Sequence, residues 1–424
     1  MRRAALMIVD GLRADMVTPE YTPALAALAE RSRVYAQHRS VFPSATRVSS
    51  ASIATGCLPA SHGLEGNAIA LDEGQGLEPV SVGPATFRER WRAATGATLR
   101  RPTLSERLRE RGGVYIYSNS SPGSAHMQDP DSHGHLLHRS GSFAPDMVPI
   151  DEGEHPDVGY DAAGDAVVTE RFCASLGRRH DVPLHVLWIC EPDHSQHELE
   201  LGSPEHREVL AGADARVAEV VRSFEAAGAW GEELMLIVGS DHGHETVAEV
   251  VPVTELLMAA GYKRALDSRE LVVASSGMGA LIYMDGDAMR GASDVAAWLR
   301  RQSWCGDVYA GDELKQVGHA TTGPLAIAFS MAKRDAPNRH GVRGYGHVAG
   351  DPFMPNDRPG RGQHGGLGPY ETRPFLMATG GDVRRGICDR PTSTIDIAPT
   401  VLEHLGLLDE GAARSMDGTP LPLV

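Results

Sequence analysis

The sequence predicts an α/β fold built on a mostly parallel central sheet with helices on both faces. Short apolar segments alternate along the chain with segments of helical periodicity, which is the pattern of βα units. The strand candidates are almost continuously apolar, as strands covered on both faces must be. Three of the four motifs that could carry chemistry lie where such a strand ends, and α/β sheets bind ligands beyond these carboxyl ends.

The individual elements follow from these patterns. The clearest strand candidates are six apolar runs: Ala4–Val9, Val114–Tyr117, Leu184–Cys190, Leu234–Val238, Leu325–Ser330 and Phe375–Ala378. The clearest helix candidates are Pro23–Arg31, Thr103–Arg111, Ala162–Leu176, Glu205–Ala227 and Thr394–Leu405. Their alternation favours parallel pairing of the strands.

The chain of 424 residues exceeds the usual size of a single core, so inserted segments are expected. We assign residues 1–71, 161–245 and 336–424 to a catalytic α/β core. Residues 72–160 contain an Arg-rich stretch and a polar loop, and they are expected to form a cap-like insertion. Residues 246–335 are expected to form a small α/β subdomain that extends the sheet.

Composition restricts the partners and the compartment. Asp and Glu outnumber Lys and Arg by 56 to 40, and the formal net charge of −16 disfavours nucleic acid and anionic membranes as partners. Five scattered cysteines show no metal-binding spacing and suggest reduced thiols. The N-terminal apolar run is too short for a signal peptide, and no stretch approaches the ~20 apolar residues of a membrane helix. We expect a cytoplasmic protein, with an oligomeric state that the sequence leaves open and a dimer as one option.

The first two motifs lie near the N-terminus. Asp10 follows the first strand and precedes a glycine, where a turn or a helix cap is the ordinary alternative to a ligand. Thr46 falls near the start of a small-residue helix, where free backbone N–H groups favour anions. Thr46 or Ser44 could instead be a plain helix cap. A metal that lowers the pKa of its hydroxyl would make Thr46 a nucleophile.

The other two motifs supply aspartate and histidine. Asp193 and His197 lie four residues apart after a strand, so a helical turn would place both side chains on one face. Asp241 and His242 follow another strand and are flanked by glycine and serine. His364 is an isolated loop histidine, which by itself would ordinarily be surface decoration.

The ordered set is more specific than any single motif. Two divalent ions roughly 4 Å apart share about six or seven ligands. One site is expected from Asp10, Thr46, Asp241 and His242. The other is expected from Asp193, His197 and His364. Mixed carboxylate and imidazole ligands suit zinc, with manganese as an alternative.

These motifs resemble the alkaline phosphatase superfamily, and within it the nucleotide pyrophosphatase/phosphodiesterase and phosphonoacetate hydrolase branches. The segment from His62 to Asn67 and the run from Asp396 to Thr400 add to the resemblance, which therefore spans nearly the whole chain. It implies an alkaline-phosphatase-like fold. It also implies that Thr46 attacks phosphorus and forms a covalent phospho-threonine. Asn67 and the backbone N–H of Arg47 would then bind a non-bridging oxygen.

The substrate is predicted less specifically. Nucleotide-cleaving members place an aromatic residue after the threonine, whereas this chain has Arg47, and no other aromatic pair is evident. Arg47 could pair with an acidic group of the substrate or lie in solvent. Phosphonoacetate hydrolases hold their substrate with lysines, and the first lysine here is Lys263. The histidines of the polar loop suggest either a third metal site or a lid: His126, His133, His135 and His138.

The leading hypothesis is a metal-dependent hydrolase of phosphodiesters or phosphonate monoesters that acts on a small anionic phosphorus compound. The alternative is a phosphonoacetate-type carbon–phosphorus hydrolase. A non-catalytic metal-binding relative is a third hypothesis, which the complete ligand set disfavours.

Overall fold

The computed structural model describes residues 2–151, 155–226, 233–353 and 356–424. The strands, labelled in chain order, are β1 Arg3–Val9, β2 Arg33–Arg39, β3 Ala68–Asp72, β4 Leu77–Ser81, β5 Val114–Ser118, β6 His135–His138, β7 Phe143–Ala144, β8 Val148–Pro149, β9 Leu184–Ile189, β10 Leu234–Gly239, β11 Glu245–Val251, β12 Leu271–Ser275, β13 Gly279–Met284, β14 Cys305–Ala310, β15 Leu325–Met331, β16 Lys333–Pro337, β17 Arg343–Ala349, β18 Gly362–Gln363, β19 Leu376–Gly380 and β20 Gly386–Ser393.

The helices include all five that the periodicity predicts. They are α1 Pro23–Ala29, α2 Thr46–Thr55, α3 Pro59–His62, α4 Phe87–Thr95, α5 Leu104–Leu108, α6 Pro122–Gln128, α7 Ala162–Arg178, α8 Asp193–Gln196, α9 Pro204–Ala226, α10 Val253–Ala259, α11 Ala292–Leu299, α12 Ile397–His404 and α13 Glu410–Arg414. Residue 227, predicted as the end of one helix, lies outside the described residues.

A ten-stranded sheet forms the centre of the molecule, in the order β20-β2-β19-β10-β1-β9-β5-β6-β7-β8. The five strands from β10 to β6 are all parallel, and antiparallel pairs lie on both sides of them. This confirms the predicted α/β class with a mostly parallel sheet.

Both faces of the sheet are covered. Alternate residues of β1 point to opposite faces, so Met7 packs with Phe172 of α7 and Leu210 of α9, whereas Leu6 packs with Val401 of α12 and Leu104 of α5. The whole strand from Ala4 to Val9 has no exposed surface. Burial on both faces explains why the predicted strands are continuously apolar.

The segment 72–160 differs from the cap-like insertion expected for it. It contains α4 and α5, but β5 and β6 continue the main sheet, with Val114 of β5 opposite Leu184 of β9. All five residues of β5 are buried, so this strand needs cover on both faces, which the main sheet provides. The boundaries of the three core segments stay a prediction.

The segment 246–335 contributes strands to two smaller sheets rather than extending the central one. Four antiparallel strands lie in the order β12-β13-β15-β14, and α10 and α11 pack on them through Leu257 and Leu299. A third sheet, β16-β17-β11-β18, and the separate β3–β4 hairpin complete the described strands. Among the described residues, no helix combines the length and apolar character needed to cross a bilayer.

The carboxyl ends of β10, β1 and β9 lie side by side because these strands are parallel neighbours. The residues that follow them, Asp10, Asp193 and Asp241, therefore emerge at one edge of the sheet. This topology brings together motifs that are separated by up to 231 positions.

We predict that Glu65 makes the stability of the fold depend on pH. Burial raises the pKa of this carboxyl from 4.5 to about 7, although Tyr283 and Arg100 oppose the shift. The folded state holds the proton more tightly, so the free energy of unfolding should fall as pH rises from about 4.5 to about 7. Glu65→Gln should remove this loss, which is of the order of 2 kcal/mol.

Urea unfolding of the wild type and Glu65→Gln at pH 4.5 and pH 7.5 measures the difference. The exposed Glu410→Gln, in α13, serves as the control. An equal pH dependence in all three proteins would contradict the role of Glu65.

Candidate metal centre and nucleophile

Three buried aspartates form the centre of the candidate site. Asp10 and Asp241 have no exposed surface, and Asp193 has 6 %. The loops are tied together by their backbones: Gly11 N donates to Asp241 Oδ1 at 3.2 Å, and Asp193 N donates to Asp10 O at 3.2 Å. Gly11 has φ 69°, and a Cβ there would lie 2.9 Å from Cβ of Asp193, so only glycine allows this approach.

The first predicted ligand set is assembled around His242. Its Nε2 lies 3.5 Å from Asp10 Oδ1, 3.3 Å from Asp241 Oδ2 and 3.0 Å from Thr46 Oγ1. Ligand atoms of Asp10, Asp241 and His242 lie within 4.8 Å of one another. The four residues predicted for one metal thus lie together.

The second set is assembled around Asp193. Its Oδ1 lies 3.5 Å from His197 Nε2 and 3.6 Å from His364 Nε2, so the three residues predicted for the other metal also lie together. The 3.9 Å between Asp193 Oδ1 and His242 Nε2 makes the two sets direct neighbours.

His244 is a member of the cluster that sequence reasoning missed. It is fully buried, and its Nε2 lies 2.7 Å from Asp193 Oδ1. The residue groups with Asp193, His242 and His364, with ligand atoms within 4.8 Å. A signal for it existed: in an extended segment, His244 lies on the same side as His242, two residues earlier.

The donor set fits divalent cations. Asp10 Oδ1 and Asp241 Oδ2 are buried and have no hydrogen-bond partner. Burial, together with Asp241 and Asp193, raises the pKa of Asp10 well above its ordinary value. Carboxylates clustered away from water need a compensating positive charge, and two bound cations would supply it.

His242 and His364 have the neutral imidazole tautomer that binds metals through Nε2. His364 Nδ1 lies 2.8 Å from the carbonyl oxygen of Ser44, and His242 Nδ1 lies 3.1 Å from that of Gly243. A carbonyl only accepts, so Nδ1 carries the proton in each ring and Nε2 presents a lone pair to the cluster. Burial lowers the pKa of His364 well below its ordinary value, which keeps this imidazole neutral.

Thr46 is the first residue of α2, and its position favours a nucleophile over a helix cap. The cap is Ala45, whose side chain accepts no hydrogen bond, and the Thr46 hydroxyl faces His242 instead. Ser44 is not a cap either, because its Oγ donates to Gly366 O at 2.9 Å and accepts from Gly365 N at 3.1 Å.

Arg47 and Asn67 lie beside the nucleophile, as the resemblance implies. The backbone N–H of Arg47 donates to Asn67 Oδ1 at 2.9 Å. The two groups predicted to bind a phosphoryl oxygen are therefore direct neighbours. The Arg47 side chain is half-buried and lines the cavity in front of Thr46, with Nε 3.3 Å from Ser121 Oγ. Among the described residues it has no carboxylate partner. The alternative of a fully solvated arginine is wrong.

The cavity in front of Thr46 measures about 740 Å³. It contains an aromatic side chain that the sequence did not reveal, Tyr160. This ring contacts Arg139, whose Cζ lies 4.1 Å from the ring centroid, and His194, whose ring centroid lies 4.3 Å away with the two planes inclined by 45°.

The predicted histidine cluster of the polar loop is dispersed. His126 contacts Arg88, His138 contacts Ser140 and the carbonyl oxygen of Ser120, and His135 stacks on Tyr115. These rings form no metal grouping among the described residues. Of the two hypotheses for this loop, the third metal site is the one that the geometry disfavours.

Two further side chains hold the aspartates in place. The Asp165 carboxylate of α7 accepts the backbone N–H groups of Cys190 and Glu191 at 2.9 and 3.0 Å, which fixes the exit of β9 toward Asp193. Trp188 Nε1 donates to Asp10 Oδ2 at 2.9 Å, so the other oxygen of Asp10 is left to face the cluster.

Glu371 connects the loops that carry the site. Its carboxylate accepts the backbone N–H groups of Gly366 and Gly368, both at 2.8 Å, and its Oε2 lies 3.4 Å from Ser44 Oγ. Its backbone oxygen accepts from Gly243 N at 2.7 Å. The loops of His364, Thr46 and His242 therefore meet at one fully buried residue, whose carboxylate pairs with Lys333.

We predict that Glu371→Gln weakens metal binding, because an amide oxygen cannot replace both accepting oxygens of the carboxylate. The loss should be about 10- to 100-fold, the usual effect of removing a group that orients ligands. Zinc affinity measured by chelator competition is the readout.

Glu245→Gln is the matched control. Glu245 is also buried near Lys333, at 3.8 Å, but its side chain accepts from Tyr370 N rather than from the His364 loop. If both variants lost metal affinity equally, loss of a buried charge would explain the result and the positioning role would be wrong.

Comparisons with known proteins agree with this geometry. The family model for type I phosphodiesterase / nucleotide pyrophosphatase matches residues 4–317. No curated protein sequence matches the chain.

Several solved structures share the fold. Murine ectonucleotide pyrophosphatase / phosphodiesterase 5 is 17% identical, with a TM-score of 0.67 and 96% of each chain covered. Phosphonoacetate hydrolase from Sinorhizobium meliloti 1021, in complex with phosphonoformate, is 19% identical, with a TM-score of 0.67 and 96% of each chain covered. The wild-type alkaline phosphatase PafA is 13% identical, with a TM-score of 0.70 and coverage of 99% of this chain and 98% of that one.

The family match covers well over half of the chain, and the wild-type alkaline phosphatase PafA shares the predicted fold. The chain belongs to the type I phosphodiesterase / nucleotide pyrophosphatase family, and it is a metal-dependent phosphoester hydrolase.

Proposed function

We propose that the protein is a two-zinc phosphodiesterase in which Thr46 is the nucleophile. The observation that carries this proposal is the placement of Thr46 Oγ1 3.0 Å from His242 Nε2, at the start of α2 and beside the three buried aspartates. A hydroxyl inside a metal-ligand cluster is a position for attack on phosphorus.

Asp10, Thr46, Asp241 and His242 would hold one zinc, and Asp193, His197 and His364 the other, with His244 beside Asp193. Zinc is favoured over manganese because four of these eight side chains are imidazoles. Bound zinc would lower the pKa of the Thr46 hydroxyl and offset negative charge on the phosphoryl group.

The reaction proceeds in two displacements. Thr46 Oγ1 forms a bond to phosphorus while the bond to the leaving alcohol breaks, and the alcohol takes a proton. Water then cleaves the Thr46–phosphate bond, which releases the monoester and restores the hydroxyl. The Asn67 amide and the Arg47 N–H, which contact each other at 2.9 Å, would bind the non-bridging oxygen as its charge grows.

The substrate is a small anionic phosphorus compound, either a phosphodiester or a phosphonate monoester. A carbon–phosphorus hydrolase is not better supported. Lys263 lines the cavity, but its Nζ donates to the carbonyl oxygens of Ser268 and Leu271 at 2.5 and 2.7 Å. Among the described residues of the lining, the cation that remains is Arg47, and its guanidinium is not equivalent to a lysine. Nucleic acid and membrane lipid stay disfavoured by the net charge of −16.

We predict that Thr46→Ala lowers turnover of bis-p-nitrophenyl phosphate by at least about 1,000-fold in the presence of zinc. The reason is loss of the attacking oxygen. Thr55→Ala is the control, since Thr55 lies at the other end of α2 and its hydroxyl donates to Ala51 O. Unchanged turnover in Thr46→Ala would falsify the assignment of Thr46 as the nucleophile.

We also predict that the purified protein binds two zinc ions per chain and that chelation lowers its free energy of unfolding. Without cations, Asp10, Asp193 and Asp241 repel one another in a buried site. Metal analysis and urea unfolding with and without chelator provide the measurements. Equal stability under both conditions would contradict the assignment of these carboxylates.

A further inference from the structure

One part of the cavity lining has its own chemical character. It is formed by residues of the β3–β4 hairpin, by residues of the segment 254–277, and by Asp351, Phe353, Asn356 and Asp357. We call this part of the cavity the outer chamber, and its charged and apolar side chains that matter here are Glu78, Leu266, Asp267, Arg269, Asp351 and Phe353.

The donor groups of the cations in the outer chamber already have partners within the protein. Arg269 pairs with Glu78 and donates to the carbonyl oxygen of Gln75. Lys263 is 4% exposed, and Nζ contacts two carbonyl oxygens. Among the described residues that line the cavity, Arg47 is thus the cation left for a substrate anion, and it lies beside Thr46 rather than in the outer chamber.

The acids of the outer chamber lack close partners of opposite charge. Asp267, Asp351 and Asp357 line the cavity, and no nitrogen of a described Lys, Arg or His lies within 4.0 Å of their carboxylate oxygens. Their field disfavours an anionic group in the outer chamber, since close like charges repel.

The outer chamber also exposes apolar surface. Leu266 is 38% exposed and Phe353 is 56% exposed, and both line the cavity. Large apolar side chains that face a cavity gain free energy when a ligand removes them from water. The volume of about 740 Å³ greatly exceeds the space that a phosphate group alone requires.

From these observations we infer the substrate class: a phosphodiester in which one ester group is bulky, apolar and without negative charge, with that group bound in the outer chamber against Leu266 and Phe353. This inference rests on the proposed phosphodiesterase function. Two other classes of phosphorus compound are expected to be poorer substrates. Small phosphonocarboxylates would leave the outer chamber empty, and the acids of the chamber would repel polyphosphate chains.

A series of diesters with a common p-nitrophenyl leaving group tests the inference on the zinc-loaded enzyme. The second ester group is methyl, benzyl or 4-carboxybenzyl. We expect kcat/KM for the benzyl ester to exceed that for the methyl ester by about tenfold or more, and the carboxylate to remove most of this gain. A benzyl-to-methyl ratio near one, or a 4-carboxybenzyl ester preferred over benzyl, would overturn it.

Two double variants locate the effect. Leu266→Ala with Phe353→Ala should bring the benzyl-to-methyl ratio toward one, and Asp267→Asn with Asp351→Asn should raise the 4-carboxybenzyl-to-benzyl ratio. Ile387→Ala is the matched control, because Ile387 is 68% exposed on β20 and does not line the cavity. Ratios unchanged by both double variants would place the selectivity elsewhere and refute the assignment.

Failure of this inference is distinguishable from failure of the proposed function. If all three diesters are cleaved in a Thr46-dependent way with equal kcat/KM, only the outer chamber is refuted. If none is cleaved, the phosphodiesterase function itself fails. In that case, calorimetry measures the affinity of the Thr46→Ala protein for benzyl and 4-carboxybenzyl phosphonate monoesters. Tighter binding of the benzyl compound would show the preference of the outer chamber for an uncharged group without turnover.

Discussion

The confinement of three carboxylates at one buried edge of the sheet is the constraint on which the site depends. Parallel neighbours β10, β1 and β9 end together, so the side chains that follow them cannot avoid one another. Water does not reach Asp10 or Asp241. An arrangement of this kind is stable only with cations between the oxygens or with protons on them. His242 and His364 point unprotonated nitrogens toward the aspartates, which favours cations.

The residues around the three aspartates fix the positions of their side chains and of the neighbouring loops. Trp188 occupies one oxygen of Asp10, and Asp165 fixes the chain before Asp193. Glu371 joins the His364 loop to the turn before Thr46. In each contact a buried polar side chain hydrogen-bonds either to backbone N–H groups or to a carboxylate oxygen of a proposed metal ligand. The orientation of these metal-binding side chains is thus set by residues outside the set of proposed ligands.

Prediction from sequence succeeded where a local pattern had a direct three-dimensional consequence. The apolar strands and the residues after them reach the same edge in any parallel sheet, so Asp10, Asp193 and Asp241 could be placed without coordinates. The prediction was wrong where it relied on composition: the Arg-rich stretch and the polar loop of 72–160 suggested a cap-like insertion, whereas the strand predicted at Val114–Tyr117 is part of the main sheet. Glu371 and Tyr160 could not be found, because only long-range folding brings isolated residues from ordinary loops to the site. The inclusion of His244 could have been predicted from its spacing to His242.

The β3–β4 hairpin pairs only with itself among the described strands, and its residues line the cavity in front of Thr46. None of the proposed metal ligands lies on it. The apolar side chains assigned to the outer chamber, Leu266 and Phe353, also lie outside the motifs that carry those ligands. Substitutions at such positions change which ester group fits and leave the proposed ligands in place, so enzymes that share one chemistry can differ in substrate.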